Sequence, residues 1–291
     1  MLKLVIPKGS LEAQTLAILE AADLSVRRSS DRDYHGTISD PRIERVSILR
    51  PQEIPRYVVE GFFDLGITGQ DWIEETDSEV ETLAELPYAK TGAGFVKIVL
   101  AVPGTHPANS AEEMPPDSRI STEYPNLTKR VFDKLGIPVR VFPSYGATEA
   151  KVPDIVDAIV DVTETGSTLK RHGMKIIEVL LESQTVLIAN REAAADAAKR
   201  GAMEDLKTLL LGAIAARGKV LVKLNVAADN LESVIEVLPA MKAPTVSKLA
   251  HEESFAVETV VPKDGINTLI PRLKELGASD IIEIPISKIV P

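Results

Sequence analysis

Short apolar runs bounded by turn residues alternate with segments of helical period along most of the chain. Residues 2–6 read as a buried strand. Residues 10–22 read as a helix, with Ser10 placed to cap it and Leu11, Ala13, Leu16 and Leu19 on a mostly apolar face. A strand at 45–49, a helix at 54–63, a strand at 64–67 and a helix beginning at 69 continue the alternation, which is that of an open α/β sheet with parallel strands. A second α/β region opens with the apolar run 96–102. It continues through a strand at 119–122, a helix at 126–135, a strand at 139–142 and an apolar run from 155 to 162. Two strands at 175–182 and 185–189 and one long helix at 192–216 should follow. The remainder reads strand 219–225, helix 231–238, strands 245–249 and 255–261, helix 265–276 and strand 280–286. That βαββαβ order is ferredoxin-like.

Composition narrows the function. At 291 residues and 44% hydrophobic the chain is long enough for about two packed domains. The absence of cysteine excludes a disulfide scaffold, an iron–sulfur cluster and a thiol nucleophile. A net charge of −10 does not suit non-specific nucleic-acid binding. The acidity lies in the front of the chain, since residues 211–291 are close to neutral. No apolar run approaches the ~18 residues of a membrane span, and the first seven residues turn polar too soon for a signal peptide. A cytoplasmic protein without membrane or nucleic-acid partners is expected.

The four histidines, His35, His106, His172 and His251, show no metal-ligand spacing, so no protein metal site is expected. Serine-hydrolase, zinc-protease and P-loop motifs are missing. What stands out is residues 157–168, an apolar strand carrying Asp161 and running into the turn Glu164-Thr165-Gly166-Ser167-Thr168 before a helix. Backbone N–H groups there, with three hydroxyls and a glycine that permits close approach, suit a phosphate without needing net positive charge. The plain alternative is a hydroxyl N-cap on an ordinary helix. Asp161 is either a solvated strand-end residue or a carboxylate for ribose hydroxyls beside a magnesium-bearing phosphate. Lys8 follows the first strand and either meets a polyphosphate or merely ends the strand. Thr68, between Gly66 and Gly69, lies on a second strand-to-helix turn, with Asp71 just beyond and Arg50 at the end of the preceding strand as a forked cation.

Taken in order, Pro7-Lys8-Gly9, Leu49-Arg50-Pro51, residues 64–71, residues 120–126 and residues 157–169 resemble the ATP phosphoribosyltransferase family, and residues 242–247 and 282–288 resemble the regulatory domain of its long form. The resemblance spans essentially the whole chain. It implies two α/β lobes like those of periplasmic binding proteins around a catalytic cleft, followed by a ferredoxin-like regulatory domain. The first lobe would comprise residues 1–90, completed by about 180–210, the second residues 91–179, and the regulatory domain residues 211–291. The activity implied is magnesium-dependent transfer of phosphoribosyl from phosphoribosyl pyrophosphate to N1 of ATP, releasing pyrophosphate, with feedback inhibition by L-histidine and assembly into homodimers and hexamers.

Carried over by residue, the resemblance makes Lys8, Arg50 and Asp161 catalytic. It places phosphoribosyl pyrophosphate on Asp161, Glu164, Thr165, Gly166, Ser167 and Thr168, and ATP near Lys8, Arg50, Thr68, Gly69, Asp71 and Glu123. Histidine would meet Asn225, Thr245 and Ala278. Two departures stand out: Ser10 where the family often has Arg, and Glu164 where it often has a small residue or Ser. Direct attack of the adenine on a sugar that loses pyrophosphate needs no covalent nucleophile and no strong base, so a site without cysteine or clustered histidine agrees with this chemistry. The rival expectation is a two-lobed small-molecule binding protein, which would have no need of three anion-binding elements facing one cleft.

Overall fold

The structure is a computed structural model that describes residues 1–30, 32–88, 94–239, 243–250 and 253–290. His251 and Lys242, singled out above, lie outside the described residues. Two compact units are present, Met1–Lys207 and Thr208–Pro291.

In the first unit, one lobe contains β1 (Leu2–Pro7), α1 (Glu12–Ala21), β2 (Val26–Arg27), β3 (His35–Ile38), β4 (Ile43–Leu49), α2 (Ile54–Val59), β5 (Leu65–Gly69), α3 (Gln70–Thr76) and β6 (Glu81–Glu85). The other contains β7 (Phe95–Pro103), β8 (Ser118–Thr122), α4 (Pro125–Leu135), β9 (Val139–Pro143), β10 (Ala158–Thr163) and α5 (Ser167–Arg171). The long β11 (Met174–Ala189) belongs to both, and α6 (Arg191–Ala195) and α7 (Ala197–Ala216) follow it.

All these strands form one sheet in the order β2-β3-β4-β1-β5-β11-β7-β10-β8-β9, with β6 also on β11. β1 runs parallel to β4 and β5, and β8 parallel to β9 and β10. Every residue of β5 is buried, as expected of a strand covered on both faces. From Met174 to Gln184, β11 pairs with β7; from Thr185 to Ala189 it pairs with β5. Sequence pattern alone suggests two strands there, because Ser183 and Gln184 interrupt the apolar run. The backbone instead passes straight through, with Ser183 and Gln184 in register with Val96 and Phe95; the slips in register lie earlier, at 176–178 and 179–181.

Two helices differ from expectation. α1 begins at Glu12 without a side-chain cap, and Glu12 Oε2 accepts from the Gly9 N–H at 3.3 Å, so Ser10 does not cap it. The expected helix over 192–216 is two helices. Asp196 breaks it, and its Oδ1 accepts from the N–H groups of Ala198 and Lys199, each at 2.9 Å, capping a new start.

The two lobes are fastened at the base of the cleft. Glu75 on α3 accepts from the N–H groups of Asn126 at 3.0 Å and Leu127 at 2.8 Å, capping α4 of the other lobe. Trp72, also on α3, stacks on Tyr124 with ring centroids 4.6 Å apart and joins the core of the second lobe.

The second unit carries β12 (Lys219–Ala227), α8 (Leu231–Val237), β13 (Thr245–Lys248), β14 (Ser254–Pro262), α9 (Ile266–Glu275) and β15 (Ser279–Pro285). Its antiparallel sheet has the order β13-β14-β12-β15, the ferredoxin-like arrangement. Alternate residues of β12, namely Val220, Val222, Leu224 and Val226, face the helices and form its core with Val257, Val261 and Leu273.

Candidate active site

A cavity of about 310 Å³ opens where the carboxyl ends of the parallel strands of both lobes meet β11. This is where ligands of open α/β sheets bind. Its walls include Ser10, Gln14, Gln52, Gly69, Asp71 and Trp72 from the first lobe, Glu123, Tyr124, Thr163 and Glu164 from the second, and Ser183 to Thr185 from β11.

Asp71 is the most constrained of these. It is 5% exposed, and its carboxylate accepts from Ser183 Oγ at 2.6 Å and from the Tyr124 hydroxyl at 2.8 Å. Ser183 Oγ also accepts from the Asp71 N–H at 2.9 Å, so the serine bridges side chain and backbone. Burial pushes the Asp71 carboxyl above its ordinary range, and the hydrogen bonds from Ser183 and Tyr124 oppose that rise. Gly69 precedes it in ordinary extended conformation, with φ −83° and ψ 146°. Space is what demands glycine here: a Cβ at 69 would overlap Asp71 Oδ1.

In the second lobe, Asp161 lies on β10, half-buried, next to Val162 and Thr163 of the cavity wall, and its Oδ1 accepts from the Val162 N–H at 2.7 Å. Burial raises its carboxyl to about 6, and Glu123 and Glu149 add to the rise. The Glu123 carboxyl is also raised by burial, against the pull of Arg50 and Lys151. Asp161 and Glu123 are therefore electrostatic neighbours near the ends of β10 and β8, and Arg50 from the other lobe acts on Glu123.

The turn after β10 is built as a cradle. Thr163 Oγ1 accepts from the Gly166 N–H at 2.8 Å, and Gly166 adopts φ +73°, where a β-carbon is disfavoured. Thr165, Ser167 and Thr168 are exposed, their hydroxyls and the start of α5 presented outward. Arg171 Nη2 donates to Thr168 Oγ1 at 3.3 Å, which sets a cation beside the turn.

The candidates divide. Gly69, Asp71, Glu123 and Glu164 line the cavity. Asp161 and Arg50 join Glu123 through electrostatics. Lys8 is half-buried, with Nζ 4.3 Å from the centroid of the Tyr34 ring, on the strand end beside Arg50 and outside the cavity wall. Thr68 differs from expectation: it is wholly buried and its hydroxyl donates to the Pro51 carbonyl at 2.9 Å, bracing the turn that carries Arg50. The same alternation that turns Thr68 inward leaves Gly69 on the cavity. Sequence reasoning passed over Tyr124, Ser183 and Lys151, which sit in segments without a catalytic spacing.

In the second unit, Asn225 Nδ2 donates to Asp280 Oδ2 at 3.0 Å, and Asn225 pairs across the sheet with Ser279, next to the buried Ala278. Thr245 lies two strands away, paired with Glu258 at the level of Lys223, and is exposed. Within one copy it does not converge with the other two.

Comparison with known proteins bears on both units. The family model described as ATP phosphoribosyltransferase matches residues 50–212, and that described as HisG, C-terminal domain, matches residues 216–288. The ATP phosphoribosyltransferase of Solibacter usitatus is 46% identical over 290 residues, covering 100% of this chain and 99% of that protein. This chain belongs to the ATP phosphoribosyltransferase family. The ATP phosphoribosyltransferase of Desulforudis audaxviator is 43% identical over 290 residues, again 100% and 99% of the two chains. A solved chain of the ATP phosphoribosyl transferase (HisG:HisZ) complex of Thermotoga maritima is 28% identical, with a TM-score of 0.62 over 72% of this chain and 96% of that one.

As an ATP phosphoribosyltransferase, the enzyme joins the phosphoribosyl group of phosphoribosyl pyrophosphate to N1 of ATP, with release of pyrophosphate, the first step of histidine biosynthesis. The ATP phosphoribosyltransferase reaction uses a divalent metal. Among the described residues no group of three His, Asp or Glu side chains is arranged to hold one. The carboxylates of Glu123 and Asp161 suit a divalent ion that arrives on substrate oxygens, since such an ion needs only one or two carboxylates beside phosphates.

Proposed function

We propose that the cleft divides its two substrates by wall. Phosphoribosyl pyrophosphate lies on the second lobe, with its 5′-phosphate in the turn Glu164 to Thr168 and its ribose hydroxyls on Asp161. ATP lies towards Gly69, Asp71 and Glu123, and Lys8 and Arg50 meet the phosphates from the first lobe. The observation that carries this reading is the pairing, at one edge of the sheet, of a backbone cradle with the half-buried carboxylate of Asp161, whose neighbour Glu123 feels the charge of Arg50.

The chemistry then follows from position. Loss of pyrophosphate leaves positive charge on the ribose, and the buried carboxylates lie where that charge develops. Arg50 and Lys8 stabilise the departing phosphates, and Mg²⁺ carried on the substrate's oxygens adds charge neutralisation. Holding both reactants in the cleft replaces a collision between polyanions with a single oriented step. Lobe boundaries near 90 and 180 and a regulatory unit from about 211 belong to the same reading, as does a cytoplasmic location.

Formation of phosphoribosyl-ATP, followed by absorbance with magnesium and pyrophosphatase present, tests the scheme directly. Thr168→Ala removes one hydroxyl from the cradle and should raise KM for phosphoribosyl pyrophosphate about tenfold, with KM for ATP held within twofold. An unchanged KM would remove the turn from the phosphate site.

Regulation belongs to the second unit in this reading. L-histidine would bind at Asn225 and Ala278, with Asp280 meeting the ligand's ammonium and Thr245 supplied by another copy in a dimer or hexamer. Asn225→Ala should weaken inhibition by histidine at least tenfold while kcat is unchanged. Undiminished inhibition in that variant would move the sensor elsewhere.

A further inference from the structure

Lys151 ends the short 3₁₀ turn Thr148–Lys151 that follows β9. Its Nζ donates to Ser144 Oγ at 2.6 Å and to Ser121 Oγ at 3.4 Å. Ser144 shares a further hydrogen bond with Thr148 Oγ1 at 2.8 Å, and all three hydroxyl residues are buried, between 1% and 3% exposed. Ser121 on β8 pairs with Ile159 on β10. Two residues on from that pair come Asp161, still on β10, and Glu123, the first residue beyond β8. The ammonium thus stands at the edge where those two carboxylates meet, close enough that Glu123 senses its charge.

This placement is unusual for a half-buried lysine. Its hydrogen-bond partners among the described residues are neutral hydroxyls, so its charge is fixed in place without being cancelled by a bonded carboxylate. The surroundings carry the opposite sign: Glu123 and Glu149 both lie near enough to Asp161 to raise its carboxyl. A polyphosphate approaching that edge meets three carboxylates, and a fixed cation beside them offsets the repulsion.

We propose that Lys151 is a positioning residue for phosphoribosyl pyrophosphate: held by Ser144 and Ser121, it supplies a counter-charge at the acidic edge that Asp161 and Glu123 share, so that the phosphates are admitted there and the ribose can reach Asp161. The inference rests on the reading of Asp161 as the ribose-binding group. Lysine suits the task because a compact ammonium fits between two serine hydroxyls, whereas a planar guanidinium restores the charge with poorer placement.

The test is a set of full-length variants assayed side by side. Lys151→Met should raise KM for phosphoribosyl pyrophosphate at least tenfold, leave KM for ATP within twofold and shift Tm by no more than a few degrees. Lys151→Arg should recover part of that loss, and Ser144→Ala, which loosens the lysine but keeps it, should fall between wild type and Lys151→Met. A purely structural lysine would lower Tm and leave KM for phosphoribosyl pyrophosphate unmoved, which overturns the proposal. If Lys151→Met does not fold, Lys151→Arg and Ser144→Ala decide by the same KM. Asp161→Asn in the same series separates the two levels. An inactive Asp161→Asn beside an unmoved KM in the lysine and serine variants overturns this inference alone, whereas a fully active Asp161→Asn overturns the site reading and the inference with it.

Discussion

Asp161→Asn is expected to lower kcat/KM by about 10³ while making the protein more stable at neutral pH. The loss follows from its place. Asp161 is the half-buried carboxylate on β10 beside the glycine turn; in the reading proposed above, an amide would offer the ribose hydroxyls one acceptor oxygen instead of two and carry no charge opposite the developing cation. The gain in stability follows from linkage. Burial, with Glu123 and Glu149, raises the carboxyl to about 6 from an ordinary 3.8. Between those values the native state binds more protons than the unfolded chain, so stability falls as pH rises through that window. Keeping Asp161 ionised at neutral pH therefore costs about 3 kcal/mol, and the amide removes that cost. Thermal unfolding should show the variant's Tm several degrees above wild type at pH 7, with the difference closing as pH falls from 7 to 4. The enzyme's own kcat/KM should decline below about pH 6. A variant that keeps a tenth of wild-type kcat/KM, or a Tm difference indifferent to pH, contradicts the assignment.

Gly69→Ala should be almost as damaging, by a steric route. Nothing in the backbone at 69 excludes alanine, but the added carbon takes the position of Asp71 Oδ1. The carboxylate must move, and in moving it loses Ser183 or Tyr124 while still buried. A buried charge stripped of a partner costs about 3 kcal/mol. Unfolding in denaturant should report a loss of that order, and KM for ATP should rise more than tenfold. The decisive arm is the double variant. In an Asp71→Ala background the extra carbon has nothing to displace, so adding Gly69→Ala there should cost less than about 1 kcal/mol. Equal costs in both backgrounds would sink the steric account.

How much of this was legible depended on what each residue must satisfy locally. The turns after β5 and β10 could be read because a buried parallel strand, a glycine and a hydroxyl leave few other arrangements. The βαββαβ order of the second unit was legible from alternation alone, since β12 places every second residue in its core. Facing was harder. Thr68 and Gly69 are adjacent, and only the register of β5 against its neighbours decides which of them looks into the cavity. Lys151 was invisible because its partners, Ser144 and Ser121, are brought to it by a turn and a sheet pairing rather than by spacing. The break at Asp196 carries a local signal, an aspartate ahead of Ala197-Ala198-Lys199, but the helical period on both sides hides it.

One strand has a further implication for how the enzyme can be taken apart. β11 gives its first eleven residues to one lobe, where they pair with β7, and its last five to the other, where they lie between β5 and β6. A chain divided at the lobe boundary would leave both fragments with an open interior seam instead of a finished border, and such seams pair with whatever strand they meet. Half-genes of this protein should therefore be insoluble when expressed apart and recover only by complementation. Exchanging one lobe with a relative should succeed only when the whole of β11 travels with the exchange.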